Sequence, residues 1–166
     1  KELRFLSIYG PEAKMMGLTP EREDEERNKT EQEWRDETNS DTMFSVLAHH
    51  NSMAVGLGRT KEAEKGIWRV RNGYVKPEFR NMGIQQKMLA LRLSEIIKRG
   101  GIKAVTGIRT DNPISIHNAE KFGFKRIGLM KRVIKLGRSA LEWHMLELDL
   151  RNPEVIKKIE EALRVK

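Results

Sequence analysis

The stretch Tyr74-Val75-Lys76-Pro77-Glu78-Phe79-Arg80-Asn81-Met82-Gly83-Ile84-Gln85-Gln86-Lys87-Met88-Leu89 holds the residue types of an anion site in the order such a site needs. An extended run leads into a tight turn, and the turn leads directly into a helical pattern. The N–H groups of a helix's first turn have no acceptors inside the helix, and the helix dipole favours negative charge there, so a phosphate suits this junction. Gly83 lets such a ligand approach the backbone, and Arg80 adds a fork of donors. Spacing alone leaves an ordinary strand-to-helix loop equally open.

Further candidates for chemistry lie downstream. Asn112-Pro113 opens a short helical pattern, Ile114-Ser115-Ile116-His117-Asn118-Ala119-Glu120-Lys121-Phe122, which Gly123-Phe124 closes. Taken alone, Asn112 is a helix cap and His117 a surface residue. The carboxylates Glu62, Glu64, Asp111 and Glu142 fall near expected strand ends, where each reads first as a solvated charge. His49 and His50 are adjacent and would point to opposite faces of a strand. With His144 they complete no ligand set, so no metal is expected. The Met residues, Trp34 and Trp68 read as packing before function.

Several elements must position these residues. Lys1–Ile8 alternates weakly, as a strand would, and Thr19-Pro20-Glu21 starts a helix that runs to about Glu37 with an acidic, solvated face. Strands are expected over Met43–Ala48, Met53–Arg59 and Ile67–Val75, with turns at His49–Ser52 and Lys61–Gly66. The clearest helix is Ile84–Lys98, with Ile84, Met88, Leu91 and Glu95 in one row and Leu89, Leu93, Ile96 and Ile97 beside it. Gly100-Gly101 stops it, and Ile102–Ile108 follows as a buried strand. Lys125–Leu136 and Ala140–Leu150 read as a hairpin through Gly137-Arg138, and Asn152-Pro153-Glu154 starts a terminal amphipathic helix. This order predicts an α+β fold: one mixed, mostly antiparallel sheet with a central parallel βαβ unit and helices on both faces. The helix over 84–98 would make the right-handed crossover.

Composition narrows the function classes. Of 166 residues, 38% are apolar and 34% charged, which fits one soluble globular domain rather than a disordered chain. No apolar run approaches a bilayer span, and Lys1–Tyr9 is too short and too charged for a signal peptide. The absence of cysteine excludes disulfides and a cysteine nucleophile, and a reducing cytoplasm is the simplest home. Residues 1–42 carry 7 basic and 12 acidic side chains, while residues 43–166 carry 25 and 12. The larger part therefore favours an anionic partner. That partner could be a nucleic acid or a small polyphosphate, and composition does not choose between them, although aromatic residues are only 6% and the basic residues are scattered where nucleic-acid binders usually cluster them.

The segment Val75-Lys76-Pro77-Glu78-Phe79-Arg80-Asn81-Met82-Gly83 resembles the coenzyme A diphosphate-binding motif of the GNAT superfamily of acyl-CoA N-acyltransferases. That motif reads Gln/Arg-x-x-Gly-x-Gly/Ala after a strand ending in Val-x-Pro-Glu-x-Arg. Gln85 departs from its last position, where a side chain would either crowd the diphosphate or bond to it. The segment from Asn112 to Phe124 resembles the family's Asn-x-x-Ala/Ser…Gly-Phe segment, with Asn112, Ser115, Lys121, Gly123 and Phe124 on pattern. The resemblance covers residues 43–150 well. It implies a single N-acetyltransferase domain over 1–166, with the motif-bearing core at 43–150, an acidic helical part at 1–42 and a terminal helix at 152–166. It implies acetyl-CoA as acyl donor, held by Tyr74, Val75, Arg80, Asn81, Met82, Gly83, Ile84, Gln85, Asn112 and Ser115. An unidentified primary amine would be the acceptor, and the oligomeric state stays open, a homodimer included. Many members carry a Tyr at the position of Ala119 that protonates the departing thiolate; His117 and Ser115, on the same short helix, are the substitutes to test. Members often use a strand carboxylate as base, but Arg69 and Gly107 stand where one would be sought. A non-catalytic acyl-CoA-binding module is the alternative, and a basic nucleic-acid-binding domain the second.

Overall fold

The computed structural model describes residues 41–50, 53–132 and 141–164. The strand expected over residues 1–8, the helix over 19–37 with Trp34, and the hairpin tip at Gly137-Arg138 lie outside them. Six strands form one sheet: β1 (Met43–His50), β2 (Met53–Glu64), β3 (Ile67–Val75), β4 (Lys103–Arg109), β5 (Lys125–Arg132) and β6 (Leu141–Asp149). Their spatial order is β1-β2-β3-β4-β6-β5. Every neighbouring pair is antiparallel except β3 and β4, which are parallel and joined through helix α1 (Ile84–Lys98). Helix α2 (Pro113–Phe122) links β4 to β5, and α3 (Pro153–Arg164) ends the described chain.

Local chemistry sets the helix limits. Gly83 precedes α1 in the left-handed region, with φ 72, and no side chain caps that end. Arg99 N–H closes the other end on carbonyls of the last turn, and Gly100 follows at φ 76. α2 starts where the Asn112 side-chain oxygen accepts the Ser115 N–H at 3.1 Å, and it stops at Gly123, φ 101. α3 starts likewise, with Asn152 accepting the Glu154 N–H at 2.9 Å. The three helices share one apolar cluster with the sheet: Leu89, Leu93 and Ile96 of α1, Ala119 and Phe122 of α2, and Val155 and Ile159 of α3 meet Trp68, Val70, Ala104, Leu146 and Leu148. Each large apolar side chain buried there contributes roughly 1.5–3 kcal/mol, which offsets the entropy of ordering the chain. No helix among the described residues is long and apolar enough to cross a membrane.

The structure corrects four local expectations. His49-His50 is no turn; β1 continues through it, across a register shift after Ala48. Lys61–Glu64 is also strand, and the turn is confined to Lys65-Gly66. The polar side chains suggest a loop, but the backbone pairs with β3, Glu62 N–H donates to Thr42 C=O at 2.7 Å, and the Glu62 carboxylate accepts the Gly66 N–H at 2.9 Å. β4 starts one residue later than expected and buries only Ala104. The inward row of α1 is Met88, Arg92 and Ile96 with Leu89 and Leu93, whereas Leu91 is exposed.

Candidate active site

The parallel pair that frames the site is joined over only three residue pairs, Ile67↔Lys103, Trp68↔Ala104 and Arg69↔Val105. β3 then follows β2 as far as Val75, and β4 follows β6 as far as Arg109. The carboxyl ends of β3 and β4 therefore part, and a slot opens where an extended ligand can replace a strand. Ligands of α/β sheets bind at such carboxyl-end crevices.

β3 turns a donor into this slot. Lys76 N–H donates to Val55 C=O of β2 at 2.9 Å. Backbone groups alternate direction along an antiparallel strand, so the N–H and C=O of Val75 face away from β2, toward β4. The Val75 C=O accepts the Arg80 Nε–H at 3.1 Å. Its N–H faces the side where the ladder to β4 has ended.

The mouth of the slot is the turn between β3 and α1. Pro77–Phe79 makes one turn of 3₁₀ helix, Asn81 takes φ 63 and Gly83 φ 72. Two left-handed residues so close together fold the chain tightly, and Asn is among the few non-glycine types that tolerate this region. A Cβ on Gly83 would meet nothing within 4 Å, so the backbone there is open to an incoming group. The first i→i−4 bond of α1 runs from Lys87 N–H to Gly83 C=O at 3.0 Å. The N–H groups before it point out of the helix end. Unlike α2 and α3, this end has no side-chain cap, and no acid lies in its first turn. It is thus left available to an anion. Asn81, Met82 and Gly83 are exposed, and Ile84 and Gln85 are half-buried.

Each remaining candidate has a definite place. The Gln85 amide turns onto β3: its Nε2 lies 2.4 Å from where a Cβ on Gly73 would stand. The side chain therefore packs inward. Asn112 Oδ1 is engaged as the cap of α2. Ser115 is half-buried, and Ala119, one helical turn on, is only 4% exposed within the core. His117 is exposed and, two residues from either, lies on another face of α2. Tyr74 is buried and packs with Leu57, its partner on β2.

The four carboxylates do not converge. Glu62 and Glu64 sit at the β2–β3 turn, the far end of β3 from Val75. Asp111 is paired with Arg109, whose Nε lies 2.8 Å from Oδ1. Glu142 pairs with Lys131 at 2.9 Å, while its backbone C=O accepts the Thr110 N–H at 3.0 Å, just past the end of β4. The carboxylate beside Lys131 holds that ammonium's pKa above its ordinary value. Among the described residues no group of three metal-binding side chains forms. The His50 ring lies 5.3 Å from that of Phe79, beside the turn. Trp68 is core. Sequence reasoning missed Arg92, which is fully buried in α1; its place between Met88 and Ile96, four residues from each, was the available signal.

A family model described as the acetyltransferase (GNAT) family matches residues 8–124. The chain belongs to the GNAT family. Its fold is that of solved GNAT structures. An N-acetyltransferase from Staphylococcus aureus superposes with a TM-score of 0.70 at 22% identity, over 89% of this chain and 92% of that one. A ribosomal-protein-alanine N-acetyltransferase from Brucella melitensis gives 0.73 at 20% identity, over 87% and 91%. A Salmonella typhimurium protein described as an acetyltransferase, and solved with acetyl-CoA, gives 0.68 at 19% identity, over 89% and 84%. Comparison with curated proteins finds no match.

Proposed function

We propose that this GNAT chain is one N-acetyltransferase domain that moves an acetyl group from acetyl-CoA to a primary amine by direct attack. The observation that carries the reading is the slot: a parallel pair that stops bonding after three residue pairs, with an uncapped helix end at its mouth. The diphosphate of CoA would sit on the turn from Arg80 to Gln85, and the pantetheine arm would lie between the ends of β3 and β4. The Val75 N–H would then polarise the thioester carbonyl, and a preorganised donor of this kind is worth a factor of about 10²–10³ in rate. The neutral amine attacks the carbonyl carbon, the C–S bond breaks, and the amine's surplus proton goes to the thiolate or to water. The products are the amide and CoA thiol. A thiol of pKa near ~8.5 leaves adequately without a dedicated acid, which accommodates Ala119.

A non-catalytic acyl-CoA-binding module is the second reading. It is favoured by the buried Ala119 and by carboxylates that are ion-paired or remote from the slot. Thiol release from acetyl-CoA across a panel of amines, run beside calorimetry of CoA binding, separates the two. Turnover with any amine supports the enzyme. Binding without turnover supports the module, and no binding sinks both.

A further inference from the structure

Between the pairs Leu57↔Tyr74 and Arg59↔Arg71, β2 spends one residue, Gly58, while β3 spends two, Asn72 and Gly73. This is a bulge, which bends a strand and redirects the residues beyond it. Beyond this one lies the slot wall, Tyr74 and Val75.

Beneath the bulge lies Arg92 of α1, 1% exposed. Its Nε–H donates to Met88 C=O at 3.3 Å, which fixes the stem. Its Nη1 donates to Arg71 C=O at 3.2 Å and reaches Arg59 C=O at 3.4 Å, so one nitrogen ties together the two strands at the irregular step. Both glycines make room for it. A Cβ on Gly58 would lie 2.7 Å from Cζ, and one on Gly73 would lie 3.5 Å from Nη2 and 2.4 Å from the Gln85 amide. Gln85, the residue that departs from the family pattern, and Arg92 thus close on the same glycine. No carboxylate among the described residues pairs with Arg92, and burial lowers its pKa to about 10, so it remains a cation at neutral pH. An apolar side chain would fill this space without the cost of desolvating a charge. Holding two backbone carbonyls across a bulge is what an apolar side chain cannot do.

We propose that Arg92 is a positioning residue that sets the β3 bulge from inside the core and thereby aims the Val75 N–H at the acyl carbonyl. This inference rests on the reading of the slot as an acyl-CoA site. Reaction geometry tolerates little error, since a displacement of about 1 Å can cost roughly 10²-fold in rate.

The test compares wild type with Arg92→Met and Arg92→Lys. The infrared carbonyl band of acetyl-CoA labelled with carbon-13 at the carbonyl reports polarisation of the thioester without needing an acceptor. Calorimetry with CoA reports the diphosphate turn separately. In wild type the bound band should fall below that of free acetyl-CoA. In Arg92→Met it should return toward the free position while CoA affinity stays within about threefold, and any turnover should drop ~10–10²-fold. Arg92→Lys should restore part of the shift, because an ammonium in the same place can still donate to one carbonyl. It also serves where Arg92→Met does not fold. An equal band shift in wild type and the folded variants overturns the role. So does a loss of CoA affinity in step with the loss of shift, which would mean a general effect on the fold. If wild type binds no CoA, the slot reading fails, and this inference with it.

Discussion

At the scale of single residues, the candidate site rests on backbone groups that side chains leave exposed. Gly83 shows this directly, because the space above it is empty and its φ is 72. In Gly83→Glu the new side chain brings bulk and negative charge to the donors of the turn, at a backbone strain of about 1–3 kcal/mol. The expected outcome is a protein with unchanged circular dichroism and CoA affinity reduced at least ~10²-fold by calorimetry; unchanged affinity would move the anion site elsewhere. Arg80 has two parts to play. Its Nε–H donates to the Val75 carbonyl at 3.1 Å, and under the proposed function the guanidinium also meets the diphosphate. A hydrogen bond to a charged group contributes about 1.5–3 kcal/mol, so Arg80→Ala should weaken CoA binding by roughly 10–10²-fold. A pantetheine fragment without phosphates should lose less, and equal losses for both ligands would contradict a phosphate contact.

At the scale of elements, α2 is where the chain departs most from the family pattern. Ala119 lies in the core with Phe122, and Ser115 is one turn before it. By the family resemblance a Tyr at 119 would serve as the acid, but it must enter a packed environment, and overpacking costs about 1–3 kcal/mol. Ala119→Tyr should therefore lower the melting temperature. If thiolate departure limits the rate, it should also raise turnover, by at most the ~10²–10⁴ of general acid catalysis. Lower stability with unchanged turnover would place the slow step elsewhere. Turnover gained shows that the chemistry lacked only its proton donor. His117, exposed on another face, should be replaceable by Ala with turnover within about twofold.

At the scale of the whole molecule, Arg92 couples stability to function. Burial holds its folded-state pKa, about 10, below the ordinary guanidinium value. The unfolded chain therefore holds this proton more tightly, and a cost of roughly 3 kcal/mol is present at all pH below about 10. That cost is relieved as pH rises above about 10, toward the ordinary guanidinium value. Arg92→Met removes it but also removes the guanidinium's hydrogen bonds to two strand carbonyls, at about 1.5–3 kcal/mol each. The two changes offset, so the neutral-pH stabilities should differ by no more than about 3 kcal/mol. In urea unfolding between about pH 9 and about 11.5, wild type should gain stability relative to Arg92→Met. Parallel curves would show that the guanidinium does not titrate in this window.

Much of the frame is legible in residue order because its causes are short-range. The limits of α1 and α2 follow from Gly83, Gly100, Asn112 and Gly123, each acting within one helical turn. The turn proposed to hold the diphosphate follows from the same local chemistry, with the family resemblance suggesting its ligand. The Lys61–Glu64 segment reads as a turn because its polarity is local, while its pairing with β3 is not. The opening of β3 from β4 after Arg69 and Val105 depends on how far two distant strands keep register, and no residue announces it. The pairing of Asp111 with Arg109 and of Glu142 with Lys131 takes two carboxylates out of simple competition for a base's role, and the second pair is made across strands. Arg92 has the sequence of an amphipathic helix's polar residue and the position of a core residue. Only packing α1 against the β2–β3 bulge decides between them, because the carbonyls that accept from the buried guanidinium belong to two strands distant from it in sequence.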